Sequence, residues 1–181
     1  MKRFLVLFLA TFISLSSFAQ ERNSAVFVDL GSTIAGVMGG GFGIGFGYEQ
    51  GIADNISLLV NASYIGFTID GGILNHDTEF LGISAGLGVR YYPLNNPVNG
   101  WFFDVSGIYS YINIKHGDEA VSNLFEMRLL TGWKFVFPSG FFLEPGLRYT
   151  IVFGDIKMPA GAASVPSVGG LGLWLGLGIA F

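Results

Sequence analysis

Glycine occupies every second position from Gly41 to Gly47, interleaved with Phe42, Ile44, Phe46 and Tyr48. Near the C-terminus Gly170, Gly172, Gly176 and Gly178 interleave in the same way with Leu171, Leu173, Leu175, Leu177, Ile179 and Phe181. A period of two belongs to a β-strand, whose successive side chains point to opposite faces. In a helix each such glycine would cost ~1 kcal/mol relative to alanine. The glycines also miss the spacing of four that lets membrane helices approach closely. The two charge-free windows, residues 30–48 and 158–181, therefore read as strands and not as membrane helices.

The alternation recurs in eight segments, at about residues 25–35, 41–49, 56–66, 80–92, 101–112, 125–137, 141–153 and 170–181. In the first, Val26, Val28, Leu30 and Ile34 share a face opposite Asp29. In the fifth, Trp101, Phe103, Val105, Tyr109 and Tyr111 oppose Asp104, Ser106 and Ser110. Each segment is near the ~10 residues that a tilted strand needs to cross a bilayer. An even count returns both chain ends to one side. The expected fold is all-β: an eight-stranded antiparallel up-and-down transmembrane β-barrel.

Composition narrows the function classes. Hydrophobic residues make up 51%, aromatics 15% and charged residues only 12%, which excludes a disordered chain. Soluble enzymes carry roughly 25% charged residues. The 28 glycines lack a three-residue period, so collagen is excluded, and the absence of Cys removes disulfides, thiolate metal sites and Cys nucleophiles.

Residues 1–19 read as a cleaved signal peptide: Met1-Lys2-Arg3 is basic, 4–15 is apolar, and Ser17-Phe18-Ala19 offers small residues before a cut after Ala19. Residues 20–181 then form one barrel domain. Without Lys2 and Arg3 the balance is 7 basic to 13 acidic residues, a net charge of −6. That balance disfavours nucleic acid as a partner.

The polar face is mainly Gly and Ser with a few charges, which suits a narrow barrel interior; a water-facing sheet more usually carries Lys, Glu and Thr. A soluble β protein with its apolar face inside is the competing arrangement. Aromatics gather near the segment ends. Tyr48, Tyr91, Trp101, Phe137, Phe141 and Phe181 fall near one rim, and Tyr64, Tyr111, Phe125 and Phe153 near the other, as in the interfacial belts of membrane barrels. Short periplasmic turns are expected at 50–55, 93–100 and Pro138-Ser139-Gly140. Longer extracellular connections are expected at 67–79, 113–123 and 154–167, with a short one at 36–40.

On this architecture the mature chain resembles the small eight-stranded bacterial outer-membrane barrels of the OmpA, OmpX and OmpW kind. The most specific local match is the end, where Gly176, Ile179 and the terminal Phe181 are similar to the signal read by the barrel-assembly machinery; Trp174 stands where that pattern prefers a polar residue. The resemblance implies a monomer in the cell outer membrane, with both termini periplasmic. Its partners would be outer-membrane lipid, lipopolysaccharide and the assembly machinery.

The inward face carries Asp29, Glu49, Arg90, Asp104, Glu126, Arg128, Lys134, Glu144 and Arg148. Unpaired charges in a narrow lumen are costly, so pairing is expected. If Pro138, Ser139 and Gly140 form a three-residue turn, Phe137 faces Phe141 and Lys134 faces Glu144. Arg128 and Arg148 lie further along this hairpin near Glu126, and Arg90 should approach Asp104 diagonally. The result is a salt-bridged, water-containing plug; an ion path is the functional counterpart, against which the narrowness of eight strands argues.

His76 and His116 are the only histidines, each near acidic residues in an expected extracellular loop. They suggest a divalent-cation site or the acid–base apparatus of a lipid A hydrolase or acyltransferase. Two isolated histidines without a placed serine among Ser122, Ser164 and Ser167 are a weak motif, so neither catalysis, metal nor cofactor is expected. Gly39-Gly40-Gly41 lacks the Lys-Ser/Thr of a phosphate loop. The reading is a structural or surface-interaction barrel. Its alternatives are a narrow channel for small or hydrophobic solutes and a lipid A-modifying enzyme.

Overall fold

The computed structural model describes residues 22–38, 40–69, 78–94, 98–116, 118–159, 165–166 and 169–181. The expected signal peptide, His76, Gly39, Ser164 and Ser167 lie outside the described residues. The strands are β1 (Ser24–Asp29), β2 (Phe42–Ala53), β3 (Ile56–Ile69), β4 (Thr78–Tyr91), β5 (Gly100–His116), β6 (Asp118–Val136), β7 (Phe141–Phe153), β8 (Asp155–Ile156), β9 (Val165–Pro166) and β10 (Gly170–Ala180). One helix, α1 (Leu30–Met38), follows β1.

Eight strands close into an antiparallel barrel in the order β1-β10-β7-β6-β5-β4-β3-β2, with β1 returning to β2. Closure leaves no sheet edge, so each strand's backbone groups find partners on both sides. The seam is completed at the chain end: Ser24 N–H donates to the Phe181 carbonyl (3.0 Å) and Phe181 N–H to that of Ser24 (2.9 Å). Ile179 pairs with Val26, and Gly176 with Asp29. β8 and β9 form a separate two-stranded ribbon.

The barrel has two unlike ends. The hairpin end carries both described chain termini and the turns after β2, β4 and β6. The β6–β7 turn has the expected register: Phe137 N–H donates to the Phe141 carbonyl (2.8 Å), and Gly140 turns the chain at φ 89. The helix end carries α1, the β5–β6 turn and the β8–β9 ribbon.

Three expectations at the helix end are corrected. The first strand stops at Asp29 instead of running to residue 35. Asp29 caps the helix that follows, its carboxylate accepting from Gly31 N–H and Ser32 Oγ, both at 2.8 Å. Such a cap satisfies donors that a strand would have to place on a neighbour. The connection 36–40 is therefore largely the end of α1, closed by a turn at Gly40 (φ 76) whose N–H donates to the Val37 carbonyl (3.0 Å). The long loop expected at 113–123 is instead continuous ladder: β5 and β6 run for 17 and 19 residues and pair up to His116 and Asp118.

Apolar side chains line the outside, while the inside holds the buried charges together with rings such as Phe27, Phe102 and Phe142. Leu87, Leu171 and Leu173 are 68%, 76% and 78% exposed. Tyr91, Trp101, Phe137 and Phe141 stand outward beside the hairpin-end turns, and Tyr64, Phe125 and Phe153 toward the helix end. Glu49, Arg90, Lys134 and Glu144 are fully buried.

The alternating glycines make room for rings inside this narrow lumen. Phe27 on β1 projects over β2 and meets Trp174 edge-on, with ring centroids 6.0 Å apart. A Cβ on Gly47 would run into the Phe27 ring, and one on Gly178 would lie 2.6 Å from Phe142 Cζ. Overpacking of this kind costs ~1–3 kcal/mol. Gly47→Val should therefore lower unfolding stability in denaturant titration by at least that amount. Gly170→Ala, where a Cβ meets nothing within 4 Å, should change it by less than ~0.5 kcal/mol.

Candidate functional site

Period two places Glu49 (β2), Arg90 (β4), Asp104 (β5), Lys134 (β6), Glu144 (β7) and Trp174 (β10) on the inner wall, and Tyr92 just beyond β4 joins them. Arg90 is the hub. Its guanidinium grips Glu144 through two parallel hydrogen bonds, Nη1 to Oε2 at 2.8 Å and Nη2 to Oε1 at 2.9 Å. The same two nitrogens reach Glu49 Oε2 at 3.0 Å and Asp104 Oδ2 at 3.3 Å. Lys134 Nζ bonds Glu49 and lies 3.2 Å from Glu144 Oε2.

Neutral donors fill the remaining acceptor positions. Tyr92 OH donates to Glu49 Oε1 (2.6 Å), Trp174 Nε1 to Glu144 Oε1 (2.9 Å) and Ser106 Oγ to Asp104 Oδ1 (2.6 Å). Aromatic faces close over the cations: the Arg90 guanidinium carbon lies 3.9 Å from the Phe102 ring centroid and Lys134 Nζ 4.6 Å from that of Phe142. Three carboxylates against two cations leave the group one negative charge in excess, and the three neutral donors help to carry it. Contacts between six strands meet here with no side-chain exposure for Arg90, Lys134, Glu49, Asp104 or Glu144. Chemically the group suits a seal: each ion is bonded to partners of opposite charge and has no side-chain exposure.

Asp104 sits directly opposite Arg90 in the β4–β5 ladder, not diagonally. Lys134 and Glu144 meet across the β6–β7 hairpin, in the register set by Phe135 with Leu143 and Gly132 with Gly146. Glu126, Arg128 and Arg148 lie elsewhere, around a cavity of about 150 Å³ between the seal and α1. Arg128 pairs in the ladder with Thr150, and Arg148 with Leu130. Among the described residues no carboxylate lies within 4.0 Å of either arginine. The expectation of an ion-paired Glu126 is corrected too: its Oε1 accepts from Ser110 Oγ at 2.5 Å. β6 carries Glu126 and Arg128 two residues apart on one wall, so their side chains run beside each other instead of meeting head-on.

Sequence reasoning gave no bonding role to Tyr92 and Trp174, and no partner to Glu49. Trp174 was marked by its phase, since it occupies the inward position that glycine takes at 172 and 176. At the helix end His116 Nδ1 lies 2.9 Å from Thr78 Oγ1, and Ser122 Oγ accepts from Lys157 N–H (2.8 Å). Among the described residues no three His, Asp or Glu side chains gather as a metal-binding group.

Breaking a buried ion pair by removing one partner costs ~3–5 kcal/mol, because the other charge is left unpaired. Arg90→Met strands Asp104 and leaves Glu49 and Glu144 to share Lys134, and should lower stability by at least that amount. Lys115→Met, which breaks the exposed 3.8 Å pair with Glu79, should cost under ~1 kcal/mol. Equilibrium unfolding of the two variants beside the parent chain measures the difference.

No model of a known protein family matches this chain, and no curated protein matches it. The geometry of the lumen and of the outer wall is therefore what a functional reading rests on.

Proposed function

We propose that this chain is a bacterial outer-membrane β-barrel of structural or surface-interaction type, with a sealed lumen, whose working surface is the helix end. The observation that carries the reading is the inversion of sides: a closed barrel with an apolar, aromatic outer wall around a charged interior. A closed barrel is one of the two ways a chain satisfies all its backbone groups in lipid. In this reading residues 1–19 are removed on export, and the C-terminal strand with Gly176, Ile179 and Phe181 presents the chain to the barrel-assembly machinery. Both termini face the periplasm, lipid and lipopolysaccharide surround the wall, and the protein acts as a monomer without a cofactor.

The seal around Arg90 favours this reading over a channel, because passage would require breaking a buried bidentate arginine–carboxylate pair. A lipid-modifying enzyme would need His, Ser and an acidic side chain converging at the rim. The contact shown for His116 is with Thr78 Oγ1.

Leu87 provides the test, at mid-height on the outer wall between Val60 and Gly107 in the ladders. It is 68% exposed. In a water-soluble barrel Leu87→Arg would change stability by no more than ~0.5 kcal/mol. At the midplane of a bilayer the same change costs ~2–4 kcal/mol. Folding of the mature chain into lipid vesicles should show the larger penalty. A neutral effect, together with a folded monomer in plain buffer, would overturn the membrane reading.

A further inference from the structure

Arg128 and Arg148 face the helix-end cavity without a bonded partner among the described residues. Arg128 is only 7% exposed, and its Nε has no hydrogen-bond partner. The amide Nδ2 of Asn61, on the same cavity wall, also lacks one. A guanidinium offers only donors and has no acceptor of its own. The acidic side chains on the wall do not supply the missing acceptors. Asp29 caps α1 and Glu126 Oε1 accepts from Ser110, and neither carboxylate lies within 4.0 Å of either guanidinium. The cavity wall thus holds two buried donors without a partner, Arg128 Nε and Asn61 Nδ2, in a space with room for several water-sized groups. In the Arg90 group one guanidinium Nε also lacks a partner, but both Nη atoms there are bonded to carboxylates, which those of Arg128 and Arg148 are not.

We infer that the helix-end cavity is a binding site for a small solute oxyanion, of the phosphate or carboxylate class, held between the guanidinium groups of Arg128 and Arg148. An oxyanion is an acceptor-only group whose geometry matches the arginine fork. The solute enters from the helix end, because the seal blocks the other end of the lumen and the strand wall separates the cavity from the outside. This role goes beyond the structural function proposed above and does not depend on what surrounds the outer wall.

Trp174 reports on the site. Its ring lies 5.1 Å from the Arg128 guanidinium carbon, so a ligand drawn to Arg128 alters the indole's surroundings. Trp101 and Trp133 stand on the outer wall, and replacing both with Phe leaves Trp174 as the one emitting tryptophan. The folded chain in a non-ionic detergent is titrated with inorganic phosphate, with chloride at matched ionic strength as control. The expected result is a saturable fluorescence change with phosphate and none with chloride. Losing one charge-assisted fork should weaken the affinity about tenfold or more, both in Arg128→Gln and in the less buried Arg148→Gln. The second variant keeps the test intact if the first fails to fold. An identical response to chloride, no saturable response, or unchanged affinity in a folded arginine variant would overturn the site and assign the cavity to water.

Discussion

An eight-stranded barrel has an interior only wide enough for side chains to fill, so any charge placed there must find its counter-charge across the lumen or remain desolvated. The group around Arg90 is how this chain meets that constraint. One guanidinium addresses three carboxylates at 2.8–3.3 Å, and Lys134 joins two of them. The contacts link strands that are not neighbours in the sheet. Glu49 on β2 and Glu144 on β7 are joined through Arg90 on β4, so the pairing braces the barrel across its width as well as along its ladders. Replacing such a group by apolar residues is often neutral for stability; what ions add is a demand for one arrangement, since a slip by one residue would turn each charge outward.

The Arg90 group also divides the lumen into two unlike regions. On its hairpin side the interior is aromatic and aliphatic, with Tyr92, Phe102, Phe142 and Val98 buried. On its helix side lies the cavity, where Asp29, Glu126, Arg128 and Arg148 share the wall with Phe27 and Ile108, bounded by the start of α1, which turns inward from β1 at Asp29. Trp174 spans the two regions: its indole nitrogen binds Glu144 in the seal and its ring faces Arg128 in the cavity. The Arg90 group lies near the hairpin ends of β4, β6 and β7, and the buried donors without a partner at Arg128 and Asn61 lie on its helix side.

Much of this was legible in the sequence, because strand period and turn chemistry act locally. The Gly-aromatic alternation marks inner and outer faces, and Pro138-Ser139-Gly140 sets a register that carries Lys134 to the height of Glu144. Two kinds of feature were not legible. Residues 30–38 alternate well enough to continue β1, and what makes them a helix is Asp29 capping its own successor, a contact that the period does not encode. The role of Glu49 depends on which side chains meet across the lumen, and pairing between adjacent strands does not determine that. The extension of β5 and β6 to His116 and Asp118 was hidden for a related reason: a bilayer's thickness sets a minimum strand length and not a maximum.

Whether the Arg90 group closes the lumen is decided by planar-bilayer conductance of the folded parent chain. A closed lumen gives a silent bilayer once folding has been confirmed by an independent probe. Discrete, reproducible conductance steps from the folded protein would contradict it, since they would mean that ions pass where the structure has every charge bound to a fixed partner.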